Sequence, residues 1–401
     1  MKSAIVFMSL ALACTLAQAA GGKTWKYELL HSFNPAVDGS APTAGLTEAD
    51  GAFWGTTSFG GPGQGARGNV FKFVPGSKPV VMHTFRGRDG ASPKSELLAI
   101  GRNLYGTLEG GLVSDQGGVY RISTLGTFKV MNAFSAAEGT KPIAPLMQAT
   151  DGNFYGTTTW AGPDGRGSVF RMTPAGAVTV IHSAFESGFV SDKGPLVQHA
   201  NGFLYGTTDG EGVHAGGSVF RVSMSGIYQL VHSFLPPWDG SGDPQGCQPI
   251  AGLTLLASGN LAGVATNCGG GVGYGTVYRV GPFGPVSLLH ALVDSVDGIV
   301  PVGELLQRSD GVLWGTAVRW SRFPELGGCG SVFALKEDGG QFGVHHIFHP
   351  TDDEDDIDGC QPRGRLLSAK DGAIYGTTTA GGTYNGGTIF RLRRVSGLSD
   401  R

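Results

Sequence analysis

The residues best suited to chemistry or recognition fall into a few groups. An acidic stretch, "HPTDDEDDIDGCQP" (349–362), places Glu354, Asp356 and Asp358 at alternate positions before Gly359. Alternating carboxylates suit calcium, but a calcium loop also wants a bidentate Glu at its twelfth position, where Arg365 stands here. The stretch therefore reads first as a solvated acidic loop and second as a calcium site. A second group is aromatic and basic: Trp160, Trp238 and Trp320, with Asp239 beside one and Arg319, Arg322 and Phe323 beside another. Indoles and guanidinium groups offer stacking and hydrogen bonding to a sugar ring or a partner's side chain. Acid–base catalysis needs an acid and a base near a common point. Asp239, Asp243 and the acids of 352–358 supply carboxylates, yet nothing in their spacing pairs them. There is no G-x-S-x-G, H-E-x-x-H, phosphate-loop or dinucleotide motif.

The elements that must hold these groups come from a repeat. A "[YW]-G" phrase recurs with its glycine at Gly55, Gly106, Gly156, Gly206, Gly263, Gly315 and Gly376, at intervals of 50 to 61 residues. Periods of this size build solenoids, propellers or arrays. Each period holds four strand-like runs separated by turn residues. In the fourth copy these are "PLVQHA", "FLYGTT", "SVFRV" and "IYQLVHSF". Asp-Gly, Asn-Gly and Ser-Gly pairs favour tight hairpins between such runs. The 69 glycines among 401 residues follow this period, so they mark turns rather than disorder. Four-stranded units repeated seven times predict an all-β, seven-bladed propeller over residues 25–393, leaving a short tail at 394–401. The run "YELLHSF" (27–33) is a spare fourth strand, and the last copy stops after its third, "TIFRL". The N-terminal strand is therefore expected to complete the last blade and leave no open edge.

The phrases "LYGTT…GG…GSVFR…LHSF…DG" resemble the GloVer tandem repeat family of exported bacterial proteins. The resemblance covers nearly all of the chain after its leader and implies a propeller-like fold. It implies no reaction and no catalytic residues. Members often end in a sorting or anchoring segment, which "RRVSGLSDR" does not provide.

Residues 1–19 read as a signal peptide: Lys2, an apolar run, then Ala17-Gln18-Ala19 as the cleavage site. A lesser reading makes "ALAC" a lipoprotein site lipidated at Cys14. The expected product is a secreted or periplasmic monomer with no membrane span. Removing the leader takes the net charge from −3 to −4, because Lys2 is its only charge. That is too mild to suggest a nucleic-acid partner. Cys247, Cys268, Cys329 and Cys360 remain, an even number that permits two disulfides. Pairing of Cys247 with Cys268 and of Cys329 with Cys360 is the natural guess, although four cysteines allow three connectivities.

Recurrence argues for structure. His31, His83, His182, His232, His290 and His346 share one position around the ring and cannot converge on one metal ion. They are expected to hydrogen-bond loops of their own blades. The arginines of the "VFR" phrases are read as structural donors. Divergence argues for function. Loop lengths vary almost entirely in the second-to-third and blade-to-blade connections, which share one face. All four cysteines and the three loop tryptophans belong to that face, most of them near blades five to seven. The expected function is binding of a glycan or an extracellular protein there. A polysaccharide lyase or hydrolase using carboxylates of the same face is the alternative. Trp238→Ala and Trp320→Ala are each expected to weaken ligand binding by about 2 kcal/mol, with melting temperature unchanged, as titration and calorimetry would check.

Overall fold

The second and third runs of each repeat are buried almost throughout, as in "AFWGTT" and "NVFKF", while the fourth is partly exposed, and glycine-bearing turns bring consecutive runs side by side. The computed structural model describes residues 24–183, 194–210, 212–236, 244–269, 273–321, 328–349 and 358–395. Within them no helix occurs, and seven antiparallel sheets form the seven blades of a β-propeller. Blade one is typical, with strands Thr47–Ala49, Ala52–Thr57, Asn69–Phe73 and Val80–Thr84 in spatial order. Blade six carries a fifth strand, Ile299–Pro301, paired with its second strand.

The ring closes as expected. Strand Thr24–Ser32 pairs antiparallel with Thr388–Val395 and becomes the fourth strand of the last blade. Glu28 lies opposite Arg391 in that pairing and accepts hydrogen bonds from both Arg391 and Arg393.

The core is not one cluster but seven, each built between neighbouring blades. Tyr155 and Val169 of blade three, for example, pack with Leu204, Phe220 and Val222 of blade four. The aromatics of the "[YW]-G" phrases lie in these interfaces, with Trp54, Tyr155 and Tyr205 fully buried. The glycine after the aromatic has a more specific role than close backbone approach. A Cβ on Gly206 would lie 2.6 Å from Cζ of Phe220 and 2.9 Å from Cδ2 of Leu196. The position is empty so that a third-strand ring can lie across it.

A bulge recurs where the third strand meets the fourth, as between Val70 and Phe71, and it falls beside the recurrent histidine. The ring then reaches the loop that leads to the next blade. His31 and His83 contact Asp38 and Asp89 at 2.7 and 2.9 Å. His290 and His346 contact Asp297 and Asp358 at 2.8 and 2.9 Å. The same aspartates also accept loop amides, such as Asn34 N–H to Asp38. The other side of the ring meets the next blade: His83 stacks on Phe128 with centroids 3.8 Å apart, and His346 likewise on Tyr27. The histidines thus tie connections to blades, as their recurrence suggested.

Two outcomes follow. Gly206→Ala should destabilise the protein by about 1–3 kcal/mol through overpacking, read as a lowered denaturation midpoint. Removal of residues 24–32 should abolish cooperative melting and produce oligomers in gel filtration, since it leaves strand 388–395 with a free edge. A truncated protein that melts as sharply and as high as the parent would refute the closure argument.

Candidate functional site

Closure creates a place that no single repeat contains, the propeller axis. Each chain segment entering a first strand passes the axis immediately before a buried leucine. These leucines are Leu46, Leu97, Leu146, Leu196, Leu253, Leu305 and Leu366. The residue preceding each is Gly45, Glu96, Pro145, Pro195, Gly252, Glu304 or Arg365. All seven line one cavity of about 240 Å³. Pro195 thus occupies the axial position itself, three residues beyond the slot of the blade-opening prolines such as Pro42 and Pro93. Because these segments continue the blade-to-blade connections, the cavity opens on the face whose loops vary in length.

Threonines set the geometry of this wall. In blades one, two, four and seven the threonine after the "[YW]-G" glycine donates its hydroxyl to a carbonyl of the next blade's entering segment. Blade five has Val264 there, and Thr316 of blade six makes no such bond. Thr207 donates to Ala251 O at 2.6 Å, and Thr107 to Ala144 O at 3.1 Å. Thr377 donates to Ala44 O at 2.7 Å across the closure. Each bond fixes a backbone atom one residue from an axial side chain.

Glycine and proline suffice at four of the seven axial positions, while the other three carry charge. Arg365 Nη1 lies 3.6 Å from Glu304 Oε1. Burial pushes the Glu304 carboxyl above the usual carboxylate range, and attraction to Arg365 only partly opposes it. The same pairing raises Arg365. Glu96 is pushed up to about 7, first by burial and further by Glu304, against the pull of Arg365. The enclosure is deep but wet, for the Glu304 side chain keeps 19% of its surface exposed. The cavity therefore holds one guanidinium and two carboxyls whose ionisation burial disfavours, with Glu96 pushed to about 7. Such a set can accept from and donate to a polyhydroxylated ligand, or hold and release a proton. At the mouth stand Lys94, bound to Glu109 at 2.8 Å, and the exposed Arg363. Although its side chain reaches solvent, the protein packed around Arg363 desolvates it in part, and with the nearby charge of Arg319 this lowers its pKa.

Of the ligand-binding candidates singled out from sequence, Trp160, Arg319 and Trp320 are among the described residues, at or within loops of the same face. Trp160 is 49% exposed, with Lys141 Nζ 5.9 Å from its ring centroid. Trp320 is half-buried, and a Cβ on Gly328 would come within 2.4 Å of its Cβ, so its own loop covers it. Arg319 is exposed beside Arg363. Trp238, Asp239, Arg322, Glu354 and Asp356 lie outside the described residues. Asp358 is buried, and its carboxylate is occupied by His346 and by the amide of Gly359 at 3.0 Å. It serves the histidine clip of its blade. Among the described residues no group of three or more His, Cys, Asp or Glu side chains could hold a metal ion.

The cysteines form Cys247–Cys268 and Cys329–Cys360 bonds. Each ties a blade-to-blade connection to a second-to-third loop. No described helix is long and apolar enough to cross a membrane.

Sequence reading missed Glu96, Glu304 and Arg365. Their signal was available as a change of residue type, not of loop length, just before a repeated leucine.

A family model described as the Gloeobacter/Verrucomicrobia repeat matches residues 17–193 and 192–399. No curated protein matches the chain. Among solved structures, the GH74 enzyme of Niastella koreensis is similar with a TM-score of 0.51 and 11% identity. The match covers 78% of this chain but only 46% of that one, so the chain spans about half its length. A gluconolactonase from Xanthomonas campestris matches with a TM-score of 0.45 and 14% identity, over 92% of this chain and 100% of that one. At these identities the likeness is one of fold.

The raised Glu96 carboxyl makes stability depend on pH. The unfolded chain releases this proton near 4.5 and the folded chain near 7. Between those values the folded state binds more protons, so the group's stabilising contribution falls as pH rises. Glu96→Gln should match the parent near pH 4 and exceed it by roughly 1–3 kcal/mol at pH 8, in denaturation followed across that range. A constant difference would show that Glu96 does not titrate as described.

Proposed function

The chain belongs to the Gloeobacter/Verrucomicrobia repeat family, and we propose that it is an exported, ligand-binding propeller whose axial cavity holds the terminal sugar of an extracellular glycan. The observation that carries this reading is the charged trio in a cavity lined by every blade. Its volume of about 240 Å³ suits one sugar ring rather than a protein segment. Carboxylates accept hydrogen bonds from ring hydroxyls and a guanidinium donates to ring or carboxylate oxygens, with charge-assisted bonds roughly twice as strong as neutral ones. Pockets that bind small molecules commonly combine apolar walls with a few convergent polar groups, which describes this one. Export is supported by the leader-like residues 1–19 and by two disulfides, which persist in oxidising surroundings.

One observation favours a second reading, an extracellular polysaccharide lyase or hydrolase. Glu96 and Glu304 share a cavity, and the environment pushes Glu96 to about 7. A carboxyl poised near neutrality beside a second carboxyl is a pair that general acid–base cleavage can use. In that case Glu96 would give a proton to the departing oxygen, with Glu304 as the base and Arg365 steadying its charge.

Titration calorimetry with short neutral, amino and uronic oligosaccharides tests the first reading. Wild type should bind at least one class, and Glu304→Gln should weaken it by about tenfold or more with the fold intact by circular dichroism. Absence of binding across all three classes would overturn the proposal. Product analysis on the same oligosaccharides decides the second reading: chain cleavage that Glu96→Gln abolishes while binding persists would make the protein an enzyme.

A further inference from the structure

The axial cavity does not end at its mouth. Beside it, over blades one to three of the same face, lies a second cavity of about 480 Å³. Its lining includes Phe59, Arg67, Glu109, Asp115 and Lys141. An ion pair joins the two linings: Lys94 lines the first, Glu109 lines the second, and they meet at 2.8 Å.

Three features of this second space are independent of the axis. The first is aromatic. Phe59 and Trp160 stand four residues after the repeat glycine in blades one and three, and they are 55% and 49% exposed. Blade two has Gly110 at that position, in the wall of the second cavity. Phe59 lines that cavity, while Trp160 stands outside its lining, its ring centroid 5.9 Å from Nζ of the lining residue Lys141. The equivalent blade position needs no aromatic for folding, as Gly110 and Ala380 demonstrate.

The second feature is charge. Asp115 accepts the amide of Gly111 at 2.6 Å, and Glu109 is held by Lys94. Among the described residues no carboxylate pairs with Arg67, Lys141 or Arg363, and Arg319 crowds Arg363 with like charge. Among the described residues the charges without an ion-pair partner along this path are three cations, Arg67, Lys141 and Arg363, against one carboxylate, Asp115, although the chain as a whole carries −3. The third is continuity: Arg363 and Lys94 line the first cavity, Arg67 and Lys141 line the second, and Lys94 meets the second through Glu109.

We propose that the two cavities form one binding groove for an acidic glycan, a chain whose sugars carry carboxylate or sulfate groups. This rests on the axial cavity being a sugar site. The chain's end occupies the axis, and its following units cross blade two between Phe59 and Trp160. Sugar faces lie against those rings while the acidic groups meet Arg67 and Lys141. The Lys94–Glu109 pair is the step between the two parts, with Lys94 free to exchange Glu109 for a ligand anion.

Calorimetry on the full mature protein tests this with four probes: galacturonic acid dimer and hexamer, a chondroitin sulfate hexasaccharide, and neutral cellohexaose. An acidic hexamer should bind about tenfold or more tighter than both the dimer and cellohexaose, and its affinity should fall with added salt. Whichever acidic hexamer binds tighter assigns the group as carboxylate or sulfate. Phe59→Ala, Trp160→Ala and Lys141→Gln should each lower hexamer affinity by about fivefold or more while leaving the dimer unchanged. Their melting temperatures report whether each variant is folded. Equal binding of charged and neutral hexamers, or variants that weaken dimer and hexamer alike, would overturn the groove and leave the axial reading standing. A folded Glu304→Gln that binds dimer and hexamer as tightly as wild type would overturn the axial reading, and the groove proposal with it.

Discussion

The pairing of strand Thr24–Ser32 with strand Thr388–Val395 is the contact on which everything else in this molecule depends. A four-stranded blade has two faces to bury and no helix to cover either. Each therefore relies on a neighbour, and the seven apolar clusters between adjacent blades are the result. An open array would leave one such interface unmade and one sheet edge bare. Closure supplies the last interface, where Phe53 meets Tyr375 with ring centroids 4.5 Å apart. It also joins Thr377 to Ala44, so that the hydrogen-bonded wall around the axis has no gap at the junction. The Glu28 interactions with Arg391 and Arg393 fix the register of the joining strands. A slip of one residue would turn every side chain to the wrong face.

Once the ring is closed, each recurrent residue type has a radial place. Threonine works nearest the axis, holding the entering segment of the next blade. The aromatic, glycine and third-strand ring fill the middle of each interface. Histidine and aspartate work beneath the connections, where Asp38, Asp89, Asp297 and Asp358 meet the histidines of their own blades. Two connections carry a disulfide as well, at Cys247 and Cys360. The loop-rich face is therefore well anchored from below at the blade junctions, which leaves its upper surface free to vary without loosening the ring.

The fold was legible in the sequence because it is written seven times. Spacing alone gave the number of blades, the closing strand and the face on which loops vary. The histidine partners were legible too, since a "DG" pair follows the "LHSF" phrase in the repeat itself. The axial residues were harder. A search for unusual length finds loops such as 235–249 and 317–330, and it passes over Glu96 and Glu304, which sit in segments of ordinary length. Their only mark is chemical: a carboxylate where the matching residues are Gly45 and Gly252. Nor does a single repeat reveal that these positions face one another, because the axis exists only after closure. Trp320, also outside the repeated slot, is half-buried, with Gly328 packed against its side chain.

The energetics of the axis bear on why charge is there at all. Burying a carboxyl or guanidinium group is costly unless it is paired and hydrogen-bonded. Here the Glu304–Arg365 contact, at 3.6 Å, is looser than a tight two-bond fork, and Nε of Arg365 is buried without a hydrogen-bond partner. Burial raises both carboxyls against the attraction of Arg365, so their ionisation costs the fold stability even though the same pairing favours the charged Arg365. Gly45, Pro145, Pro195 and Gly252 occupy the same ring of positions at no such cost. The fold thus has a simpler solution, one it uses in four blades of seven. A destabilising departure confined to the axis, open to water on the one variable face, is what a binding or catalytic demand on this ring would leave behind.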